Sequence, residues 1–77
     1  MKKTPYSNIF STHSIRYAVD GDALTDAREE QGFNQSSFAA LCGWSPTYQW
    51  KLENGEVESV CQETVDIIMR SLKGTIL

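Results

Sequence analysis

The feature that most constrains the fold is a very short connection between two helical segments. Residues 35–42 follow a helical pattern that stops at Gly43, a typical residue just past a helix end. Ser45 is a typical helix cap, and Pro46 suits a first helical position because its missing N–H has no partner there. A second helix is therefore predicted over 46–53, and the two helices must be direct neighbours in the fold.

Two further helices are predicted, one before this pair in the sequence and one after it. The first covers residues 22–31, with Asp22 as its cap and Gly32 as its stop. The last follows Ser59 and Gln62, which have the spacing of a capping box. Its core-facing stripe has the i, i+3, i+4, i+7 spacing, at Val65, Ile68, Met69 and Leu72. The sequence therefore predicts an all-α fold.

The amino-terminal part of the chain has a different character. Residues 1–14 are rich in Ser, Thr, Asn and Pro, which predicts a flexible arm with Ile9 and Phe10 as its possible anchor. Apolar and other residues then alternate over 15–19, a period-2 pattern that predicts a short β-strand. We therefore expect a flexible arm at 1–14 and a single domain at 15–77.

The composition limits the classes of protein to consider. A chain of 77 residues has room for one small core. No apolar run approaches the roughly 20 residues needed to cross a bilayer, and no secretory signal is present, so a cytoplasmic protein without membrane contact is expected. Cys42 and Cys61 lack the spacing of metal ligands and are expected to be small core residues. Neither a metal nor a cofactor is expected.

The sequence resembles the XRE/Cro-like helix-turn-helix family, which includes the small phage repressors. The resemblance covers about residues 22–72 and implies a lambda-repressor-like domain of four to five helices. The fragments that carry it, in order, are Leu24-x-x-Ala27-Arg28, Gly32-Phe33-Asn34-Gln35, Phe38-Ala39, Gly43-x-Ser45 and Lys51-Leu52-Glu53-Asn54-Gly55.

The resemblance implies which residues contact DNA. Gln35 and Asn54 match the family's phosphate-contacting and clamping positions. The face turned toward base edges corresponds to Ser45, Pro46, Thr47, Trp50 and Lys51, and the Tyr48 hydroxyl is a further candidate for a phosphate contact. Lys51 is suited to guanine or phosphate, Thr47 to a base edge or a thymine methyl, and Trp50 to sugar or methyl groups.

Several of these residues also have structural interpretations. In the resembling family the positions of Arg28 and Glu53 form a partly buried ion pair, so a scaffold role is expected for both. Gln49 occupies a position that is commonly apolar in the family; either the helix rolls slightly or this amide finds backbone partners. Trp50 is a DNA contact, a dimer contact or a core substitute. Trp44, Tyr48 and Leu52, spaced by four, are expected to pack on the core.

The expected function is sequence-specific binding of double-stranded DNA by a transcriptional repressor. A homodimer on a palindromic operator is expected, with the 15–19 strand, the last helix or the tail at 75–77 as the dimer interface. The alternative is a protein-interaction module of the same fold, an antitoxin-like partner or an antirepressor, which the net charge of -3 favours. No catalytic constellation is present, so an enzyme is not expected.

Overall fold

The computed structural model describes residues 9–13 and 16–73. Within these ranges the elements are β1 (Phe10–His13), β2 (Arg16–Val19), α1 (Gly21–Glu30), α2 (Gln35–Cys42), α3 (Pro46–Glu53) and α4 (Gln62–Lys73). The prediction of a small, mostly helical domain is confirmed, with a two-stranded sheet added to it. Helices α2 and α3 have the predicted bounds, and α1 is shifted by one residue.

The predicted arm at 1–14 is wrong for residues 9–13. Strand β1 pairs antiparallel with β2, from Phe10 opposite Val19 to His13 opposite Arg16. Ile9 is only 1% exposed and belongs to the apolar core. The two apolar residues that the sequence offered as an anchor therefore draw this segment into the fold, because burial and strand pairing stabilise it together. Residues 1–8, 14 and 15 lie outside the described residues.

Strand β2 has a backbone partner on each side. On the side of β2 away from β1, Tyr17 forms an isolated antiparallel bridge with Val60. The Tyr17 N lies 2.9 Å from the Val60 carbonyl oxygen, and the Val60 N lies 2.8 Å from the Tyr17 carbonyl oxygen. The Tyr17 hydroxyl also donates to Gln62 Oε1, at the start of α4. Because this chain supplies both partners, the strand needs no second copy to satisfy its backbone.

The core contains apolar residues from the hairpin and from all four helices. Helix α4 contributes the predicted stripe, with Val65, Ile68 and Leu72 buried and Met69 half-buried. Phe33 and Phe38 pack against each other, with ring centroids 5.6 Å apart in an edge-to-face arrangement. The buried core residues are Ile9, Leu24, Ala27, Phe38, Cys42, Leu52, Val60, Val65, Ile68 and Leu72.

Capping side chains fix where the first three helices begin. Asn34 caps α2, and Ser45 caps α3 as predicted. Helix α1 is capped by Asp20, whose Oδ1 accepts from the Ala23 N–H at 3.1 Å. The prediction that Asp22 caps α1 is wrong, because the helix begins one residue earlier and Asp22 lies in its first turn.

The predicted capping box before α4 is also wrong. The helix begins at Gln62, so Ser59 lies too far upstream to cap it. The Ser59 hydroxyl instead accepts from Arg16 Nε at 2.7 Å, and the Ser59 carbonyl accepts from Arg16 Nη2 at 3.0 Å. This polar pair therefore holds the hairpin against the loop that leads to α4.

The two cysteines occupy different environments, and neither is in a disulfide. Cys42 is buried as predicted, and its Sγ lies 3.3 Å from Ser71 Oγ. Burial raises the pKa of the Cys42 thiol despite that hydrogen bond. Cys61 is exposed, so the prediction that it is a core residue is wrong. It stands immediately before the first residue of α4, outside the packed stripe of that helix.

Helices α1 and α3 meet end to end at a glycine. A Cβ added to Gly21 would lie 2.1 Å from the backbone carbonyl oxygen of Glu53, far inside van der Waals contact. Only glycine therefore allows the first residue of α1 to pack against the last residue of α3. This close approach places the carboxyl end of α3 beside the amino end of α1.

Candidate nucleic-acid interface

The candidate interface is built on the turn that joins α2 to α3. Gly43 ends α2 with a left-handed φ of 92°, and its N–H bonds to the Ala39 carbonyl at 2.8 Å. Ser45 then accepts from the Tyr48 N–H at 3.1 Å, and Pro46 is the first residue of α3. Glycine, cap and proline each satisfy or remove a backbone donor, so the turn stays short.

The inward side of α3 is formed by Gln49, Leu52 and Glu53, which are 0%, 1% and 7% exposed. Trp44 Nε1 donates to Gln49 Oε1 at 2.9 Å, and Gln49 Nε2 donates to Glu53 Oε2 at 2.7 Å. Neither sequence-based alternative for Gln49 is correct as stated. The amide is fully buried without a roll of the helix, and its partners are side chains rather than backbone groups.

Glu53 receives hydrogen bonds from several elements at once. Arg28 binds both carboxylate oxygens, with Nε at 2.7 Å and Nη2 at 3.1 Å, and this confirms the predicted ion pair. Thr25 Oγ1 and Gln35 Nε2 donate to Oε1 at 2.9 and 3.0 Å. Burial by itself raises the pKa of the Glu53 carboxyl, but the donors from Arg28, Gln49, Gln35 and Thr25 hold it below its ordinary value.

Arg28 extends this set of contacts to the connection between α1 and α2. Its Nη1 donates to the Phe33 carbonyl at 2.7 Å. No buried side-chain nitrogen or oxygen lacks a hydrogen-bond partner among the described residues. We call Thr25, Arg28, Gln35, Trp44, Gln49 and Glu53 the polar cluster. It links α1, α2 and the turn to α3, and so sets which way α3 faces.

The outward side of α3 carries Thr47, Trp50 and Lys51, all exposed. Trp50 is 44% exposed, so its interpretation as a core substitute is wrong. The three positions follow i, i+3 and i+4 spacing and therefore lie on one face. The structure thus brings the central predicted base-contacting residues together on a single exposed surface, which we call the outer face of α3.

The remaining predicted contact residues lie around this face. Ser45 and Pro46 are exposed at the amino end of α3. Asn54 is exposed at the carboxyl end, where its Nδ2 donates to the Trp50 carbonyl at 2.9 Å. Tyr48 is half-buried, with its ring 5.2 Å from that of Trp44 in an edge-to-face contact.

Gln35 differs from the other predicted contact residues. It is half-buried, and its side-chain amide donates to Glu53 rather than pointing away from the protein. This arrangement places the Gln35 side chain in the polar cluster and leaves its position at the first turn of α2 as the feature that could meet a phosphate.

Charge is distributed unevenly along α3. Its carboxyl end borders an open depression of about 320 Å³ lined by Asp20, Gly21, Asp22, Glu53, Asn54 and Gly55. The first turns of α2 and α3 contain no acidic side chain. Because helix amino ends favour anions and carboxylates repel them, the amino ends of these helices are more favourable for an anion than the carboxyl end of α3.

The contacts of Gln49, Trp44 and Thr25 were missed by sequence reasoning. Gln49 and Glu53 are four residues apart and therefore share one helical face, which was a usable signal. The Trp44 and Thr25 contacts had no comparable signal, because they depend on how the turn and α1 pack against α3.

Two further features are absent from the part of the chain that the structure describes. Among the described side chains, no group of three or more His, Cys, Asp or Glu is placed to hold a metal ion. None of the helices in this part of the chain has the length and apolar character needed to span a bilayer. No protein-family model, curated protein or solved structure matches the chain.

Proposed function

We propose that this chain is a sequence-specific regulator of transcription, a repressor, that inserts α3 into the major groove of double-stranded DNA as the second helix of a helix-turn-helix. One observation carries the proposal: Thr47, Trp50 and Lys51 stand exposed together on a short helix whose other side is held in place. The major groove, about 12 Å wide, admits an α-helix.

Each exposed side chain has a partner of fitting chemistry in the groove. Lys51 is a donor suited to guanine O6 and N7 or to a phosphate, and Thr47 can bond a base edge. Ser45 and Pro46 flank the face at its amino end, on the side where the DNA backbone would run, and Asn54 lies at its carboxyl end beside the acidic depression. Gln35, at the first turn of α2, offers a helix amino end to a phosphate.

A dimer on a palindromic operator follows from the small size of the outer face. Helix α3 has eight residues and can cover only a few base pairs. Two copies would read half-sites about one helical turn, or 34 Å, apart. The half-buried Ile67 on α4 is one candidate for the dimer interface; the tail at 75–77 lies outside the described residues.

A second candidate function is a protein-interaction module, antitoxin-like or an antirepressor. Leu41 and Trp50 are the large apolar residues that the described ranges leave exposed, at 43% and 44%. Exposed apolar side chains of this size are typical of protein contacts. The net charge of -3 disfavours binding to the phosphate backbone of DNA. DNA binding is preferred because a cation and a hydroxyl accompany Trp50 on the same face.

Selection from a random duplex library at low salt tests the two candidates. The regulator proposal predicts an enriched palindromic sequence and an affinity that falls steeply with salt. Lys51→Ala should then weaken binding by roughly 1 to 3 kcal/mol, measured by titration of the enriched duplex.

Lys73→Ala is the matched control, since Lys73 is an exposed cation at the end of α4. It should change operator affinity little. Equal effects of the two substitutions would remove Lys51 from the contact surface. A library without any enriched sequence would favour the interaction module.

A further inference from the structure

We infer that Trp50 makes the outer face of α3 selective for a thymine methyl group, beside the base pair contacted by Lys51. This inference rests on the proposed DNA binding and specifies which feature of the operator the protein reads. It starts from the composition of the face, where a large apolar ring at Trp50 accompanies a hydroxyl at Thr47 and an ammonium at Lys51.

The inward side of α3 prevents Trp50 from turning into the core. The neighbouring residue, Gln49, is fully buried, and both ends of its amide are bonded, at 2.9 Å to Trp44 and at 2.7 Å to Glu53. A roll of α3 that buried Trp50 would break both bonds and leave polar atoms without partners, which is costly. The indole ring therefore stays on the outer face.

The backbone at Trp50 is also held. Its carbonyl accepts from the Asn54 N–H and from Asn54 Nδ2, each at 2.9 Å. Two donors on one carbonyl fix the last turn of α3, from which the ring projects. A side chain on a backbone that is already fixed loses less freedom when it meets a ligand, so its contact can contribute to affinity.

The chemistry of base edges restricts what such a ring can face in the major groove. Guanine, adenine and cytosine present hydrogen-bonding groups there, whereas thymine adds the C5-methyl, an apolar group. An indole ring laid over a donor or acceptor removes water from it without replacing the hydrogen bond. A thymine methyl gains from the same contact. Trp50 is therefore expected to favour thymine at its position.

The test uses deoxyuridine, which differs from thymidine only by the missing C5-methyl group of the base. Each thymine of one half-site in the enriched duplex is replaced in turn, and binding is titrated with the wild-type protein, Trp50→Ala and Leu41→Ala. At one position the replacement should weaken wild-type binding by about fourfold, which is the effect expected when one methyl group is removed from an apolar contact. Trp50→Ala should show no weakening at that position, as a double-mutant cycle requires.

Leu41→Ala is the control, because Leu41 is the other exposed large apolar residue and lies on α2. It should keep the full dependence on the methyl group. Urea unfolding of Trp50→Ala, followed by the fluorescence of Trp44, checks that the variant is folded.

Two outcomes overturn the inference while leaving DNA binding intact. In one, an enriched duplex exists but no deoxyuridine replacement weakens binding. In the other, Trp50→Ala remains as sensitive to the missing methyl as the wild type. If the library yields no enriched duplex, the proposed function fails together with this inference, and Trp50 is then assigned to a protein contact.

Discussion

Helices α3 and α4 each bury one side against the rest of the chain, but they are anchored by different chemistry. The buried side of α4 is mainly apolar, with Val65, Ile68 and Leu72 in the core. The buried side of α3 contains only one apolar residue, Leu52, together with an amide and a carboxylate. Helix α4 is therefore held mainly by apolar burial, and helix α3 mainly by hydrogen bonds and an ion pair.

The two kinds of anchor have different consequences. Apolar burial scales with area and has little directionality, so it places α4 on the core without a demand on any single atom pair. The polar cluster depends on donors meeting Glu53 and Gln49 within hydrogen-bond distance. A helix held in this way has a defined rotation about its own axis, which the proposed DNA contact requires.

The sharpest test of this contrast removes the main donor to Glu53. Arg28→Ala should lower the free energy of unfolding by about 3 to 5 kcal/mol, because it leaves a buried carboxylate without its cation. Urea unfolding measures the loss, and DNA binding should disappear only through unfolding. The paired change Arg28→Met with Glu53→Leu should cost less than Arg28→Ala alone. A stable Arg28→Ala variant that no longer binds DNA would contradict the scaffold role.

A cavity in the core tests the apolar anchor of α4. Ile68 is fully buried, so Ile68→Ala should lower the free energy of unfolding by about 2 to 5 kcal/mol, through lost burial and the cavity left behind. The loss should be nearly the same at neutral and acidic pH, since no titratable group is removed. A loss that changes strongly with pH would show that α4 does not depend on apolar burial alone.

The pH dependence of unfolding distinguishes the polar contacts that hold α3 from the apolar burial that holds α4. The pKa of Glu53 lies below its ordinary value of 4.5 in the folded protein, so ionised Glu53 stabilises the fold above that pH. This contribution should be lost as the pH falls through the lowered folded-state pKa.

Urea midpoints at neutral pH and below pH 4.5 should therefore separate more for the wild type than for Glu53→Gln. Glu56→Gln, a change at an exposed glutamate, is the control and should behave like the wild type. An equal separation in Glu53→Gln would mean that another group governs acid unfolding.

The smallest effect is expected at the amide of the polar cluster. Gln49→Leu should lower the free energy of unfolding by about 1 kcal/mol, since Glu53 keeps its bonds from Arg28 and half-buried Trp44 can reach water. It should also reduce the pH dependence of unfolding, because a donor to Glu53 is lost.

Ile68→Val, a change of similar size in the apolar stripe, should leave the pH dependence unchanged. Chemical unfolding at two pH values compares the two variants. If Gln49→Leu keeps the wild-type pH dependence, Gln49 does not contribute to the state of the Glu53 carboxylate.

Local signals were enough to predict much of the helical framework. Gly43, Ser45 and Pro46 specify the end of one helix and the start of the next through their own backbone preferences. The stripe at Val65, Ile68 and Leu72 predicted the buried side of α4. These features act over a few residues, so the sequence contains them directly.

Contacts between distant segments were beyond sequence reasoning. The sequence predicts an arm at Ile9 because no local pattern shows that β1, which follows Ile9, pairs with β2. It predicts a cap at Ser59 because the contact of Ser59 with Arg16 spans 43 residues of chain. The resemblance predicted the pair of Arg28 and Glu53. Apart from the i, i+4 spacing of Gln49 and Glu53, no local pattern indicated the further donors to that carboxylate.

The sequence by itself determined the helices, the Ser45 cap of α3 and the row of Thr47, Trp50 and Lys51 on one face, because these depend on helical periodicity and local backbone chemistry. Only the tertiary structure decided that this face is the exposed one. That choice depends on Gln49 and Glu53, polar residues that can be buried only when donors from other helices and from the α2–α3 turn reach them.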